Sequence, residues 1–385
     1  MDQLTKLYLF MLLCVGLAWL YDNTRIKTKH GHKKIWVIYL VLLALLICYG
    51  GFRGSYNDTW TYRDNYVYTT LPFPEAWESM STKLGHSPAF SIVNSFLKTY
   101  NVEVHLYLFF YFFWTTLLFM FFIKGYAVSL PLAIFFFFTT GCYQFNMAAM
   151  KQVMATAICL AAFPLAIKPG WKNKILYFCF VLLGITFHPY AFMYFAVPIL
   201  TFKPWTSKTF IIVSGIIAGS ALLQPMLGTI VEITTSIGEN FTVEALSGEG
   251  ISLMRIIVVW VPVVLSFIYR DILFRDSLPH ENAIMHCTLL FAGIQFVGLF
   301  ATALYFGRLS YYFAIMPVIA LTWMLKKISR YYPRDGRFLT VAAVAGYIAF
   351  FYFSNTLETH YNTAYEAITL KRFIEYFVEW VKGLS

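Results

Sequence analysis

Residues 35–52 read IWVIYLVLLALLICYGGF, a run with no charged side chain, and the segment just before it, residues 22–34, reads DNTRIKTKHGHKK. As a helix the apolar run is long enough to cross the hydrocarbon core of a bilayer, about 30 Å thick. Its basic neighbour carries Arg25, Lys27, Lys29, Lys33 and Lys34. Lys and Arg concentrate in cytoplasmic loops, so this segment is expected inside, with the run rising from it to the outer surface. Upstream, the apolar stretch from Leu7 to Leu20 becomes a first span that starts outside. Its opening, MDQLTK, is barely basic and no small-residue cleavage site follows, so it is expected to remain as a span.

From that oriented pair the remaining apolar runs alternate, and about twelve spans are expected. After span 2 (about 35–52) comes an outside segment of about 53–103. Span 3 (about 104–123) descends to Lys124, span 4 (about 128–145) rises, and span 5 (about 148–167) descends to Lys168, Lys172 and Lys174. Spans 6 and 7 (about 175–187 and 190–202) meet at an outside His188-Pro189 turn and return to Lys203 and Lys208. Span 8 (about 209–226) leads to an outside loop of about 227–250, and span 9 (about 251–269) descends to Arg270 and Arg275. Span 10 (about 283–303) rises, span 11 (about 308–325) descends to Lys326, Lys327, Arg330, Arg334 and Arg337, and span 12 (about 338–353) rises again. The tail, 354–385, is then outside, like the N-terminus. Eighteen of the 29 Lys and Arg fall inside with five of the 19 acids; eleven basic and fourteen acidic residues fall outside. The opposite orientation reverses that ratio.

Composition agrees. The 385 residues are 59% hydrophobic and 12% charged, with a mean hydropathy of +0.64; soluble domains carry about a quarter charged residues. A membrane β-barrel is excluded, because it shows alternating segments of about ten residues and not continuous apolar runs. The expected fold class is all-α: one polytopic bundle over 1–385, with no separate water-soluble domain. The six cysteines lie in apolar stretches without metal-ligand or disulfide spacing, so they are expected to be packing residues. No cofactor, metal or nucleic-acid partner is expected. Two outside stretches have helical amphipathic patterns and are expected to lie in the interface plane. In Pro88–Tyr100, Phe90, Val93, Phe96, Leu97 and Tyr100 oppose Ser91, Asn94, Ser95 and Lys98. In the tail, Tyr365, Ile368, Ile374, Phe377, Val378 and Val381 oppose a charged face.

Four outside cations do not lie in solvated loops. Arg53 (YGGFRGSYND), Lys151 (NMAAMKQVMA), Arg255 (ISLMRIIVVW) and Arg308 (YFGRLSYYF) stand at outer helix ends among apolar residues. A cation there snorkels, pairs or faces a cavity. Four on one outer face are what a lipid-linked phosphate or pyrophosphate requires. Asp58, five residues beyond Arg53, and His188 are the candidate proton acceptors. Each also has a local reading, Asp58 as a turn or helix cap and His188 as a cap at a proline turn. His86 in GHSP is a weaker third. Among the aromatics of segment 53–103, Trp60 and Tyr62 lie nearest the Arg53 motif, together with Tyr66, Tyr68 and Trp77. They suit stacking on sugar rings or anchoring at the interface.

These motifs, taken in order, resemble the EpsG family over about residues 35–325. YGGFRGSYNDTWTYRDNY resembles its opening signature, NMAAMKQVMATAICLA its central helix, FHPYAFMYF its histidine turn and GRLSYYF its late arginine helix. The resemblance implies a polymerase of surface polysaccharide repeat units in the bacterial inner membrane, similar in role to Wzy polymerases. Its substrates would be undecaprenyl-pyrophosphate-linked oligosaccharides at the outer leaflet; a GT-C-like glycosyltransferase architecture is compatible with it, and a chain-length regulator is a compatible partner. Arg53, Asp58, His188 and Arg308 match the family's motifs. Lys151 stands where the family usually has arginine, GHSPAF lacks the acidic residue often found before that proline, and Arg255 has no clear counterpart. The implied chemistry is metal-independent, inverting glycosyl transfer. Arg308, Arg53 and Lys151 would stabilise the leaving pyrophosphate, and Asp58 or His188 would take the acceptor proton. An O-antigen-type ligase, a polysaccharide O-acyltransferase and a lipid-linked oligosaccharide flippase are the rival readings.

Overall fold

The computed structural model describes residues 2–28, 31–80, 87–236, 250–300, 302–358 and 365–384. His86 and residues 237–249 of the expected loop 227–250 therefore lie outside the described residues. Helices dominate, and the all-α expectation holds; among the described residues the strands form two short two-stranded ladders. Among the described residues Gln3–Asn23, Val104–Tyr126 and Pro333–Thr356 are each long and apolar enough to cross a membrane. Two bent pairs, Ser207–Leu222 with Met226–Ile233 and Tyr305–Phe313 with Ile315–Tyr331, bring the number to five, and shorter apolar helices lie between them. The chain divides into two compact units: Met1–Ala161 with Leu182–His188 and Phe351–Ser385, and Ala162–Val181 with Pro189–Phe350.

The first unit opens with α1 (Gln3–Asn23), whose buried Leu4, Leu7, Met11, Cys14 and Ala18 form one stripe at helical spacing. A hairpin of β1 (Arg25–Thr28) and β2 (Gly31–Lys34) leads into α2 (Trp36–Gly51). The ends of these helices are tied together by Asp22. One carboxylate oxygen pairs with Lys34 Nζ at 2.5 Å and the other accepts from the Leu130 amide at 2.9 Å. Lys124 Nζ lies 3.2 Å from the centre of the Trp36 ring at the same end. At the other end of α2 the chain continues through β3 (Arg53–Ser55).

Among the described residues the expected outside segment 53–103 is largely helical, the expected helix at Pro88–Tyr100 included. It comprises α3 (Thr59–Asp64), a π-helical turn at Asn65–Thr69, α4 (Phe73–Met80) and α5 (Pro88–Thr99). On α5 the expected faces are exchanged in part. Asn94 and Ser95 are buried beside Phe90, while Phe96 and Tyr100 are exposed. Asn94 points inward because its Oδ1 accepts the Tyr111 hydroxyl at 2.7 Å. In a membrane protein a polar group gains more from a protein partner than from lipid, which inverts the soluble pattern.

Next come α6 (Val104–Tyr126), α7 (Leu130–Thr139), α8 (Cys142–Ala148) and α9 (Met150–Ala161). Close approach of α2 to α6 depends on Gly50 and Gly51. A Cβ on Gly50 falls 2.2 Å from the Phe112 ring, and one on Gly51 falls 2.6 Å from Phe109. The expected spans 4 and 5 are broken. Gly141 takes a left-handed φ of 77° and ends α7, and a second break at Ala149 separates α8 from α9. Met147, Met150 and Met154 are buried, as a packed fifth helix requires.

The second unit holds α10 (Phe163–Ile167), α11 (Trp171–Phe187, whose last turns belong to the first unit), α12 (Ser207–Ser236), α13 (Leu253–Ile268), α14 (Arg270–Leu273), α15 (Pro279–Val297), α16 (Ala303–Ser310), α17 (Ile315–Tyr331) and α18 (Pro333–Phe353). Where span 7 is expected the chain forms an eleven-residue 3-10 helix, Pro189–Ile199, with Pro198 inside it. Proline cannot supply the amide an α-helix needs there. Helix α15 packs on α12, α13, α16 and α17. Its His286 Nδ1 donates to the carbonyls of Leu200 at 3.0 Å and Asn282 at 2.9 Å, and its Nε2 faces the Thr209 hydroxyl at 3.0 Å. Nearby, Lys327 Nζ pairs with Glu281 at 2.9 Å.

The C-terminal segment returns to the first unit. Strand β4 (Glu366–Ala367) pairs antiparallel with β3, and Ile368 donates to the Phe52 carbonyl at 2.9 Å. Tyr365 is buried, stacks on Tyr49 and donates to its carbonyl at 2.8 Å. Helix α19 (Leu370–Gly383) then lies against α6. Phe373 touches Phe52 and Phe109, and Trp380 Nε1 donates to the Tyr100 carbonyl. Leu370, Ile374, Phe377, Val378 and Val381 remain exposed, as the amphipathic reading of the tail expects.

Candidate functional site

Arg53 follows the end of α2, where Gly50 and Gly51 draw the backbone against α6. Its side chain is fully buried within the protein. Nη1 donates to the Gly50 carbonyl at 2.8 Å and Nε to the Thr59 hydroxyl at 3.3 Å. The guanidinium carbon lies 5.1 Å from the centre of the Phe112 ring. Thr59 passes the contact on, donating to the Met147 carbonyl at 3.2 Å. One chain of contacts therefore joins the end of α2, the start of α3 and α8. Arg53 Nη2 has no hydrogen-bond partner among the described residues, and no described carboxylate pairs with the side chain. Burial lowers its pKa to about 10, opposed by Tyr365, Tyr143, Tyr107 and Tyr62, so it stays charged at neutral pH.

The turn that delivers Thr59 is set by Asn57, which has a φ of 45°. Asparagine tolerates that left-handed conformation better than most residues. Asp58 then caps α3 through its backbone, accepting from Thr61 at 3.1 Å, with its side chain half-buried. Beside this knot Tyr62 meets Phe90 edge-on at 5.9 Å, and Lys151 Nζ lies 5.4 Å from the centre of the same ring. Arg53, Tyr62 and Lys151 are thus gathered in the first unit, with Asp58 adjacent to Thr59. Trp60 is 59% exposed. His188, half-buried after α11, takes no part in the Arg53–Thr59–Met147 chain.

Arg255 and Arg308 belong to the second unit. Arg255 is half-buried in the first turn of α13, its amide held by the Ser252 hydroxyl. Arg308 is exposed in the last turn of α16. Each flanks a member of one apolar cluster of Leu227, Ile251, Ile256 and Phe306. Sequence reasoning passed over Thr59, Phe90 and Phe112. Thr59 carries a recognisable signal, being the next residue after Asp58, whereas the two phenylalanines look like any others in an aromatic-rich chain.

The sequence profile of the EpsG family matches residues 35–375, nearly the whole chain. The chain belongs to the EpsG family. No curated protein and no solved structure matches it. Family membership makes it a membrane protein of polysaccharide biosynthesis, a glycosyltransferase-like polymerase. Arg53, Asp58, Lys151, His188, Arg255 and Arg308 all fall within the matched residues.

Lys151, where the sequence resemblance leads one to expect arginine, supplies a test. Lys151→Gln is expected to lower polymer formation about tenfold or more, since a charge contact in a desolvated site is worth about 1.5–3 kcal/mol. Lys151→Arg is expected to keep or raise it. Polymer yield per amount of membrane protein measures both, and a silent Lys151→Gln removes the residue from the site.

Proposed function

We propose that this EpsG-family chain joins undecaprenyl-pyrophosphate-linked oligosaccharide repeat units into a surface polysaccharide at the outer leaflet of the bacterial inner membrane. The observation that carries the reading is Arg53, a buried cation with no carboxylate partner and one unengaged nitrogen among the described residues. A desolvated cation of that kind is matched to an anionic group that arrives with substrate. The acceptor hydroxyl oxygen attacks the donor's anomeric carbon, the bond from that carbon to the pyrophosphate oxygen breaks, and undecaprenyl pyrophosphate leaves with the electron pair. Asp58 or His188 takes the hydroxyl proton. Arg53 and Lys151 stabilise the developing charge; Arg308 and Arg255, read from the sequence, are the further candidates for phosphate binding. Tyr62 and Trp60 offer faces to sugar rings. A single displacement inverts the anomeric centre, and no step calls on a metal.

Purified protein in liposomes, given only its lipid-linked repeat unit, is expected to produce a ladder of lengthening products. Absence of elongation under conditions that preserve binding favours a ligase, flippase or acyltransferase.

The orientation that goes with this function has about twelve spans and both termini outside. The grouping of chain ends supports it. Asp22, Lys34, Lys124 and Leu130 meet at one end of the first unit, while Arg53, Thr59, Met147 and Tyr365 meet around the other end of α2. Cysteine at position 33 (Lys33→Cys) is expected to resist an impermeant maleimide in intact spheroplasts and to react after lysis. Labelling before lysis overturns the orientation.

A further inference from the structure

Helix α8 joins the end of the expected span 4 to the start of span 5, and its Gln144 and Asn146 are buried, 4% and 3% exposed. Neither amide atom of Gln144 has a hydrogen-bond partner among the described residues, and Asn146 Nδ2 has none either. A buried amide left in that state has given up its bonds to water for nothing, which a packed core avoids. Polar side chains buried in a membrane bundle face its interior or a cavity and pair there with protein or ligand.

The surroundings of α8 say which ligand. Met147 accepts the Thr59 hydroxyl that also receives Arg53 Nε, and the Tyr143 ring lies 5.8 Å from Phe112, the ring beneath the guanidinium. At the helical turn of 3.6 residues, Gln144 stands about 60° from Met147 and Asn146 about 60° from Tyr143. Both amides therefore flank the face that meets the Arg53 knot. The backbone breaks at Gly141 and Ala149 set this short polar element apart from the apolar helices on either side.

We infer that α8 reads the sugar next to the pyrophosphate, with Gln144 as its principal hydroxyl-binding group. The inference rests on the reading above that Arg53 meets the pyrophosphate. A primary amide offers both donors and an acceptor, and a sugar hydroxyl answers both. A phosphate only accepts, and leaves the amide oxygen unmatched.

Binding to detergent-solubilised full-length protein tests this without requiring turnover. The probes are the lipid-linked repeat unit extracted from cells lacking the polymerase, and undecaprenyl pyrophosphate without sugar. Gln144→Met fills similar volume and removes the unpaired amide, so it is expected to melt at or above the wild-type temperature. It is expected to bind the sugar-bearing lipid about tenfold more weakly, the loss of one substrate hydrogen bond or two, while binding of the sugar-free lipid is unchanged. Gln144→Glu, which still accepts from a hydroxyl but repels phosphate, is expected to keep part of the sugar-dependent affinity. Wild-type affinity of Gln144→Met for the sugar-bearing lipid overturns the inference, as does an equal loss for both lipids. These outcomes are independent of whether the wild-type protein elongates chains, so a failed polymerase reading is told apart from a failed sugar site.

Discussion

Arg53→Met is expected to give a protein that folds, inserts and melts close to wild type but makes no detectable polymer. The side chain is fully buried with no described carboxylate beside it. Bringing a guanidinium into such a place costs several kcal/mol. Its hydrogen bonds to Gly50 and Thr59, worth about 1.5–3 kcal/mol each, and its position over Phe112 offset much of that. The net structural contribution of the charge is therefore small. Methionine follows the path of the arginine stem without leaving a cavity, and such exchanges cost less than about 1.5 kcal/mol. Catalysis has no such compensation. Removing a preorganised cation from a desolvated site costs about 3 kcal/mol or more in the transition state, at least about a hundredfold in rate. Tryptophan fluorescence on heating in detergent reads the first part, and polymer length on gels reads the second. If Arg53→Met instead loses its folded state, the residue is a staple between α2 and α3; if it still makes polymer, the pyrophosphate lies elsewhere. Arg53→Lys retains charge without the fork and should fall between the two.

The features legible in the sequence were those that repeat locally. Apolar runs, their basic flanks and the order of the Arg53, Lys151, His188 and Arg308 motifs can be read position by position, and α2 (Trp36–Gly51) and α6 (Val104–Tyr126) fall close to the runs at 35–52 and 104–123. Features settled by distant partners could not be read that way. Strand β3 exists because Glu366–Ala367 comes back to it from the far end of the chain, and no periodicity announces that pairing. The break at Gly141 had a local signal in its glycine, but the break at Ala149 had none. On α5 the pattern was visible and its meaning was reversed, because Asn94 found the Tyr111 hydroxyl and Phe96 was left exposed. The same blindness applied to Gln144. Nothing in the sequence reading singled it out; that neither of its amide atoms finds a partner among the described residues is known only from the packed helices around it.

Arg308→Ala is expected to abolish polymer formation while expression and membrane insertion stay normal, and Arg308→Lys is expected to restore only part of it. Arg308 differs from Arg53 in being exposed, in the last turn of α16. The fold therefore depends little on it. A cation near a helix C-terminus contributes about 0.3–1 kcal/mol through the helix dipole, and exposed substitutions usually stay within about 0.5 kcal/mol. Any large loss of activity must then come from the substrate. An arginine fork donates two parallel hydrogen bonds to a phosphate, roughly twice as strong as neutral ones, and the ammonium of lysine supplies charge without that geometry. Loss of the pair at about 1.5–3 kcal/mol lowers each addition step by one to two orders of magnitude. Polymer length multiplies the effect, because every repeat unit requires the same step. The comparison is quantitative only at equal amounts of folded protein, so polymer is to be scaled to the monodisperse fraction on size exclusion. Wild-type polymer length from Arg308→Ala at that normalisation removes Arg308 from the residues proposed to bind pyrophosphate. A lysine variant as inactive as the alanine one assigns the whole effect to the bidentate geometry and none to charge.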